Sequence, residues 1–129
     1  MTGGEPYSWA LLRVVPRVER GERINVGAAV YSRRKRYLGF AFELDEVRLR
    51  ALDPALDLDT LRRQLEGLER VAAGAPEAGR IAGMEPADRF GFIAAPSSTV
   101  LQPSPVHVGV CSGDPADELD DLMRRYVRL

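Results

Sequence analysis

Two runs of alternating apolar residues, joined by a four-residue polar link, constrain this chain more than any other feature. In the first, Ile24 to Ser32, the residues Ile24, Val26, Ala28 and Val30 fall on one face. In the second, Tyr37 to Leu44, the residues Leu38, Phe40, Phe42 and Leu44 do the same. A period of two is that of a pleated strand. The link Arg33-Arg34-Lys35-Arg36 is too short for a crossover, so the two runs form an antiparallel hairpin. Tyr7 to Val18 supplies a third strand, with Tyr7, Trp9, Leu11 and Val15 alternating against Ser8, Ala10, Leu12 and Val14. Pro16 removes a ladder donor, so this strand ends, bulges or lies at an edge there.

Beyond the hairpin the period changes to that of a helix. Asp45 caps a short helix through Leu52, and Asp53-Pro54 closes it. From Asp57 to Ala73 the apolar residues Leu58, Leu61, Leu65, Leu68 and Ala72 form one stripe. The pairs Arg62–Glu66 and Glu66–Arg70 lie four residues apart on the other face, and Gly74 is the C-terminal stop. Residues 74–85, rich in Gly, Ala and Pro, read as a mobile connection. Pro86 to Ala95 reads as a short helix, and Ser98 to Gln102 and Val106 to Cys111 as short extended segments. Asp114-Pro115 then opens a last helix whose stripe is Leu119, Leu122, Met123 and Tyr126. The sum is an α+β fold in one domain over residues 1–129. Its core is a mainly antiparallel sheet of about four or five strands with helices packed on one face.

Composition removes several classes of function. The longest apolar runs, Trp9 to Leu12 and Val26 to Val30, are far too short to span a membrane. Residues 1–6 carry neither a basic nor an apolar leader segment, so the expected location is cytoplasmic. Cys111 is the only cysteine, which excludes an intramolecular disulfide and a cysteine-cluster metal site. No metal and no cofactor are expected, because neither a phosphate-binding loop nor a dinucleotide fingerprint has its spacing here. Seventeen of the eighteen basic residues are arginine, and one Asn and two Gln occur in all, a skew that fits a GC-rich bacterial genome. The net charge of −1 gives no bulk drive toward nucleic acid, but residues 1–50 sum to +4 and residues 51–129 to −5. That asymmetry marks a basic interaction face, or merely basic strands beside acidic helices.

Charge concentrates in Arg13 to Gly27, where one strand ends and the next begins. Arg13, Arg17, Glu19, Arg20, Glu22, Arg23 and Asn25 lie within this segment. Arginine forks and an Asn around a glycine turn are suited to a phosphate or carboxylate. The competing reading is a connection braced by internal Arg–Glu pairs, with Asn25 satisfying backbone groups. Gly27, inside a strand, marks a bulge or a close backbone approach. Ser98, beside Ser97 and Thr99, could complete an anion site with these arginines or cap the strand that follows. His107 is the only histidine; a catalytic histidine needs a nucleophile and an orienting acid, which Ser97, Ser98, Ser104 or Asp88 would have to supply. Arg33 to Arg36 is either a solvated turn or a footprint for a nucleic-acid backbone, and Cys111 reads as a small core residue.

The run Tyr7-Ser8-Trp9-Ala10-Leu11-Leu12-Arg13-Val14-Val15-Pro16, followed by Glu19-Arg20-Gly21-Glu22-Arg23-Ile24-Asn25-Val26-Gly27, resembles the opening of a bacterial family. It is the domain-of-unknown-function family numbered thirty thirty-seven. The stretch Arg89-Phe90-Gly91-Phe92, then Ser97-Ser98-Thr99-Val100 to Pro105-Val106-His107 and the acidic last helix, resembles the rest. The resemblance covers nearly the whole chain and implies a small bacterial protein without an assigned activity. It also implies a protein partner, a kinase-like protein of HipA type, because members of the family are often encoded beside one.

The expected function is a non-enzymatic binding or accessory module that contacts a partner protein or anionic ligand through Arg13 to Gly27, with Arg13, Arg17, Arg20, Glu22, Asn25 and Ser98 as ligand-binding candidates. The alternative is a small hydrolase or transferase built on Arg13, Glu22, Asn25 and His107. Weak nucleic-acid binding ranks third. The absence of a convincing nucleophile–base pair puts the binding module first.

Overall fold

The computed structural model describes residues 4–96 and 99–128. A five-stranded antiparallel sheet is built from β1 (Glu5–Val14), β2 (Ile24–Ser32), β3 (Tyr37–Phe42), β4 (Leu101–Pro103) and β5 (His107–Cys111). The order is β3-β2-β1, and the far edge of β1 is shared end to end. Its C-terminal half pairs with β4, Arg13 opposite Gln102, and its N-terminal half with β5, Trp9 opposite His107. Ser104, buried between those two strands, covers the gap: its hydroxyl accepts from the Leu11 N–H at 2.8 Å and donates to the Pro105 carbonyl. β1 stops before Pro16, as a missing ladder donor requires.

The α+β class and the antiparallel sheet are those expected, and the helices α1 (Glu46–Leu52), α2 (Leu58–Ala73) and α3 (Pro86–Ile93) cover one face. Each of the first two starts where an aspartate side chain accepts a backbone N–H, Asp45 from Arg48 and Asp57 from Thr60. Gly74 closes α2 in the left-handed region at φ 67°. Arg89 braces that end by donating to the Val71 and Ala72 carbonyls at 3.0 and 2.8 Å. The connection, residues 74–85, contains a 3-10 segment over Pro76–Gly83 that is kinked at Gly79. Its residues Ala78 and Ile81 pack against the main core.

The expected one-sided arrangement needs correcting at the last helix. Helix α4 (Pro115–Leu122) crosses the opposite face, where Leu119, Leu122, Met123 and Val127 pack on Leu11, Ala28 and Val30. The reason is the composition of the strands. Adjacent residues Leu11 and Leu12, or Ala28, Ala29 and Val30, are all buried, so both faces of the sheet are apolar and both demand a cover.

A bulge divides β2. Leu12 pairs with Gly27 while Arg13 pairs with Asn25, leaving Val26 as the extra residue. Ile24 and Val26 therefore face α1 to α3, whereas Ala28 and Val30 face α4, rather than all four sharing a side. Gly27 sits where the backbones approach closely, since a β-carbon there would lie 2.8 Å from the Ala41 carbonyl oxygen. Helix α4 also changes pitch, continuing as a π turn over Met123–Val127 with the Arg128 N–H bonded to the Met123 carbonyl. The extra residue per turn rotates Val127 into the core and leaves Tyr126 at 38% exposure.

Candidate functional site

On the α4 side of the sheet, β1 presents Tyr7, Trp9, Leu11 and Arg13 in succession, because alternate side chains share a face. Leu12 and Val14 occupy the main core on the other side. Arg13 stands between Asn25 of β2 and Gln102 of β4. Its Nε is buried and has no hydrogen-bond partner. Burial, and then the charge of the neighbouring Arg23, pull its guanidinium below the ordinary arginine value. Among the described residues no carboxylate forms an ion pair with Arg13 or Arg23. Two cations thus stand together without an ion-pair partner among the described residues, one of them partly desolvated.

The amides on either side of Arg13 are engaged elsewhere. Asn25 Nδ2 donates to the Tyr126 carbonyl at 3.0 Å, and Gln102 Nε2 donates to the Thr99 carbonyl at 2.8 Å. Asn25 ties down the end of α4 together with Arg48, whose guanidinium reaches the Val127 carbonyl at 3.4 Å, and the Arg128–Glu43 pair at 2.6 Å. Carbonyls at a helix C-terminus have no partner within the helix, and Asn25 and Arg48 supply donors.

The loop after β1 forms a separate group. Its chain turns at Arg17 to Gly21, where Gly21 has φ 70°, and Arg20 grips Glu22 through Nε at 2.6 Å and Nη2 at 3.0 Å. Each holds the other ionised: the Arg20 bond lowers the Glu22 carboxyl, and the Glu22 bond raises Arg20. Arg17, Arg20 and Glu22 line a cleft of about 300 Å³ with Pro16 and the segment 51–54 that ends α1. Ser98 lies outside the described residues.

His107 is not part of either group. It is exposed and stacks on Trp9 with ring centroids 4.4 Å apart, and Trp9 in turn stacks on Tyr126 at 5.8 Å. Trp9 is four residues from Arg13 along β1, about 13 Å at the rise of an extended strand. Glu22 is held by Arg20 in the loop cleft. Ser104 is buried with its hydroxyl engaged, and Cys111 is buried against the Gly113 carbonyl. Asp88 lines a different cleft with Arg33, Arg36 and Glu85. The described residues therefore place no nucleophile and acid around His107. Nor do they include a group of three or more His, Cys, Asp or Glu side chains that could hold a metal ion.

The hairpin tip is tied down on two sides. Lys35 Nζ donates to the Gly113 carbonyl at 2.9 Å and Arg34 approaches Glu5 at 3.9 Å. No helix among the described residues is long and apolar enough to cross a membrane.

A model for a family described as a protein of unknown function, DUF3037, matches residues 9–127. The chain belongs to that family. The match takes in Arg13, Asn25, His107, all of α4 and the π turn that follows it. No curated protein and no solved structure matches this DUF3037 chain. The sequence alone does not show that Arg23 neighbours Arg13, nor which group Asn25 bonds. The second depends on the bulge, which sets Asn25 opposite Arg13 and turns it toward α4.

Proposed function

We propose that this DUF3037 protein is a non-enzymatic binding module whose Arg13–Gly27 segment receives a carboxylate or phosphate presented by a partner. One observation carries the reading. Arg13 holds a buried Nε without an acceptor beside a second arginine, a costly arrangement that an incoming anion relieves. On the adjoining loop Arg20 is already held by Glu22, so the charge that an acidic surface would meet comes from Arg13 and Arg23. A kinase-like protein of HipA type, implied by the family resemblance, is the partner to test first. A single buried cysteine and the lack of a membrane-spanning helix among the described residues fit a cytoplasmic setting.

Arginine Nε–Hε resonances in ¹⁵N-labelled protein test this directly. Inorganic phosphate or acetate, titrated at constant ionic strength, is expected to shift the Arg13 signal saturably. Arg23→Gln should weaken that response, and a partner that binds through this surface should shift the same signal. A response that is linear in anion, or equal at every arginine, would sink the proposal.

A further inference from the structure

An apolar-lined cleft lies on the other side of the sheet from Arg13, between α2, the 3-10 segment, α3 and β4. It measures about 460 Å³, within the range of small-molecule sites. Its walls are formed by Leu12, Leu68, Val71, Ile81 and Ile93, with Phe92 left 48% exposed. The polar groups that line it from the described helical segments are Gln64, Arg70 and Glu77.

Gly67 is the second observation. It sits inside α2, where glycine is unfavourable relative to alanine because it frees the unfolded backbone. Nothing in the packing requires a glycine there. A β-carbon would meet only Arg70 Nη2, 3.9 Å away. What the missing side chain does is leave the cleft wall recessed, with the Arg70 guanidinium lining the same cleft. Among the described residues Arg70 makes no ion pair.

We infer that this cleft binds a small apolar molecule carrying one anionic group. The apolar body lies along Leu68, Val71 and Ile93, the open space beside Gly67 admits it, and the anion meets Arg70. Glu77 lines the same cleft and opposes a second negative charge. This site is independent of the Arg13 surface, and neither proposal depends on the other.

The test uses the folded chain and 1-anilinonaphthalene-8-sulfonate, whose fluorescence reports an apolar site with an anion contact, with decanoate as competitor. One saturable site displaced by decanoate is expected. Gly67→Leu fills the recess and should weaken both ligands by about tenfold or more without lowering Tm. Arg70→Gln should weaken them while leaving the uncharged N-phenyl-1-naphthylamine within about twofold, and Glu77→Gln should tighten the anions. Dye binding that never saturates, or that Gly67→Leu leaves unchanged, overturns the inference. An Arg13→Gln variant that abolishes dye binding, with Gly67→Leu unaffected, would place the dye on the other surface and overturn it equally.

Discussion

The side chain of Asn25 donates to the main-chain carbonyl of Tyr126 at 3.0 Å, across 101 residues of sequence. This bond joins the bulge of β2 to the π turn that ends α4, and it gives the only asparagine of the chain a bracing role. Asn25→Ala is expected to cost about 0.5–1.5 kcal/mol, the net worth of one hydrogen bond, with the carbonyl re-exposed to water rather than stranded. Asn25→Asp should be no better, since a carboxylate cannot donate and faces a carbonyl oxygen. Urea unfolding measures both. Protection of the α4 amides from hydrogen exchange should fall in each variant while that of α2 is unchanged.

One substitution, glycine to alanine, should have opposite signs at two positions. At Gly27 the new methyl would lie 2.8 Å from a backbone oxygen on β3, which cannot move without breaking the ladder, so a loss of about 1–3 kcal/mol is expected. At Gly67 the methyl enters open space inside a helix and should stabilise the fold by about 0.5–1 kcal/mol. Paired thermal or urea melts decide this. Equal effects at the two sites would contradict the close approach at the bulge.

The hairpin, the helix caps and the amphipathic stripe of α2 were legible in the sequence because each depends on neighbours a few residues apart. Asp45 caps the helix expected of it, Gly74 ends α2 as expected, and Ile24–Ser32 is a strand from end to end. The two-sided sheet was legible in part. The run Val26-Gly27-Ala28-Ala29-Val30 is apolar on both faces, a pattern that calls for a cover on each side. What periodicity could not give was the bulge, which shifts the alternation by one residue between Val26 and Ala28. The π turn is similar, exchanging Tyr126 for Val127 in the core. The candidate site divided for the same reason: Arg13 and Asn25 project from the sheet face, while Arg17, Arg20 and Glu22 belong to a loop that folds toward α1.

Tyr7 links the start of β1 to α4 by donating to Glu118 at 3.1 Å. Burial, followed by that bond and the Glu118 charge, pushes its phenol up to about 12. The sign follows from linkage. The folded state holds this proton more tightly than the unfolded chain, so the contribution is complete below pH ~10 and is lost as pH rises toward 12. Stability should therefore fall across that interval, and less so in Tyr7→Phe, which should itself cost about 0.5–1.5 kcal/mol at neutral pH. Phenolate absorbance in the folded protein should show a tyrosine ionising late, and the Phe variant should remove that component.

Trp9 and His107 are each the sole residue of their type, so their stacking at 4.4 Å gives an unambiguous optical reporter. His107→Ala should change the Trp9 emission intensity and expose the indole on one side, with a stability loss of about 0.5–1.5 kcal/mol. The same variant should leave the anion response at Arg13 intact, since the strand sets the two about 13 Å apart. If His107→Ala abolished that response, the histidine would belong to the site after all.

Arg13 offers the sharpest separation of stability from function. Its Nε is desolvated without an acceptor, and Arg23 adds repulsion in place of a counter-charge. A side chain retained for folding would be expected to have its donors met. Methionine keeps much of the aliphatic volume that packs beside Leu11 and removes both the orphaned donor and the like-charge contact. Arg13→Met should therefore stabilise the free protein, by about 0.5–2 kcal/mol as measured by urea unfolding, while abolishing the response to phosphate and to any acidic partner. Arg13→Lys should keep part of the charge but lose the fork geometry, and with it most of the affinity. Destabilisation by Arg13→Met would mean that the guanidinium supports the sheet, and the binding role proposed for it would fall.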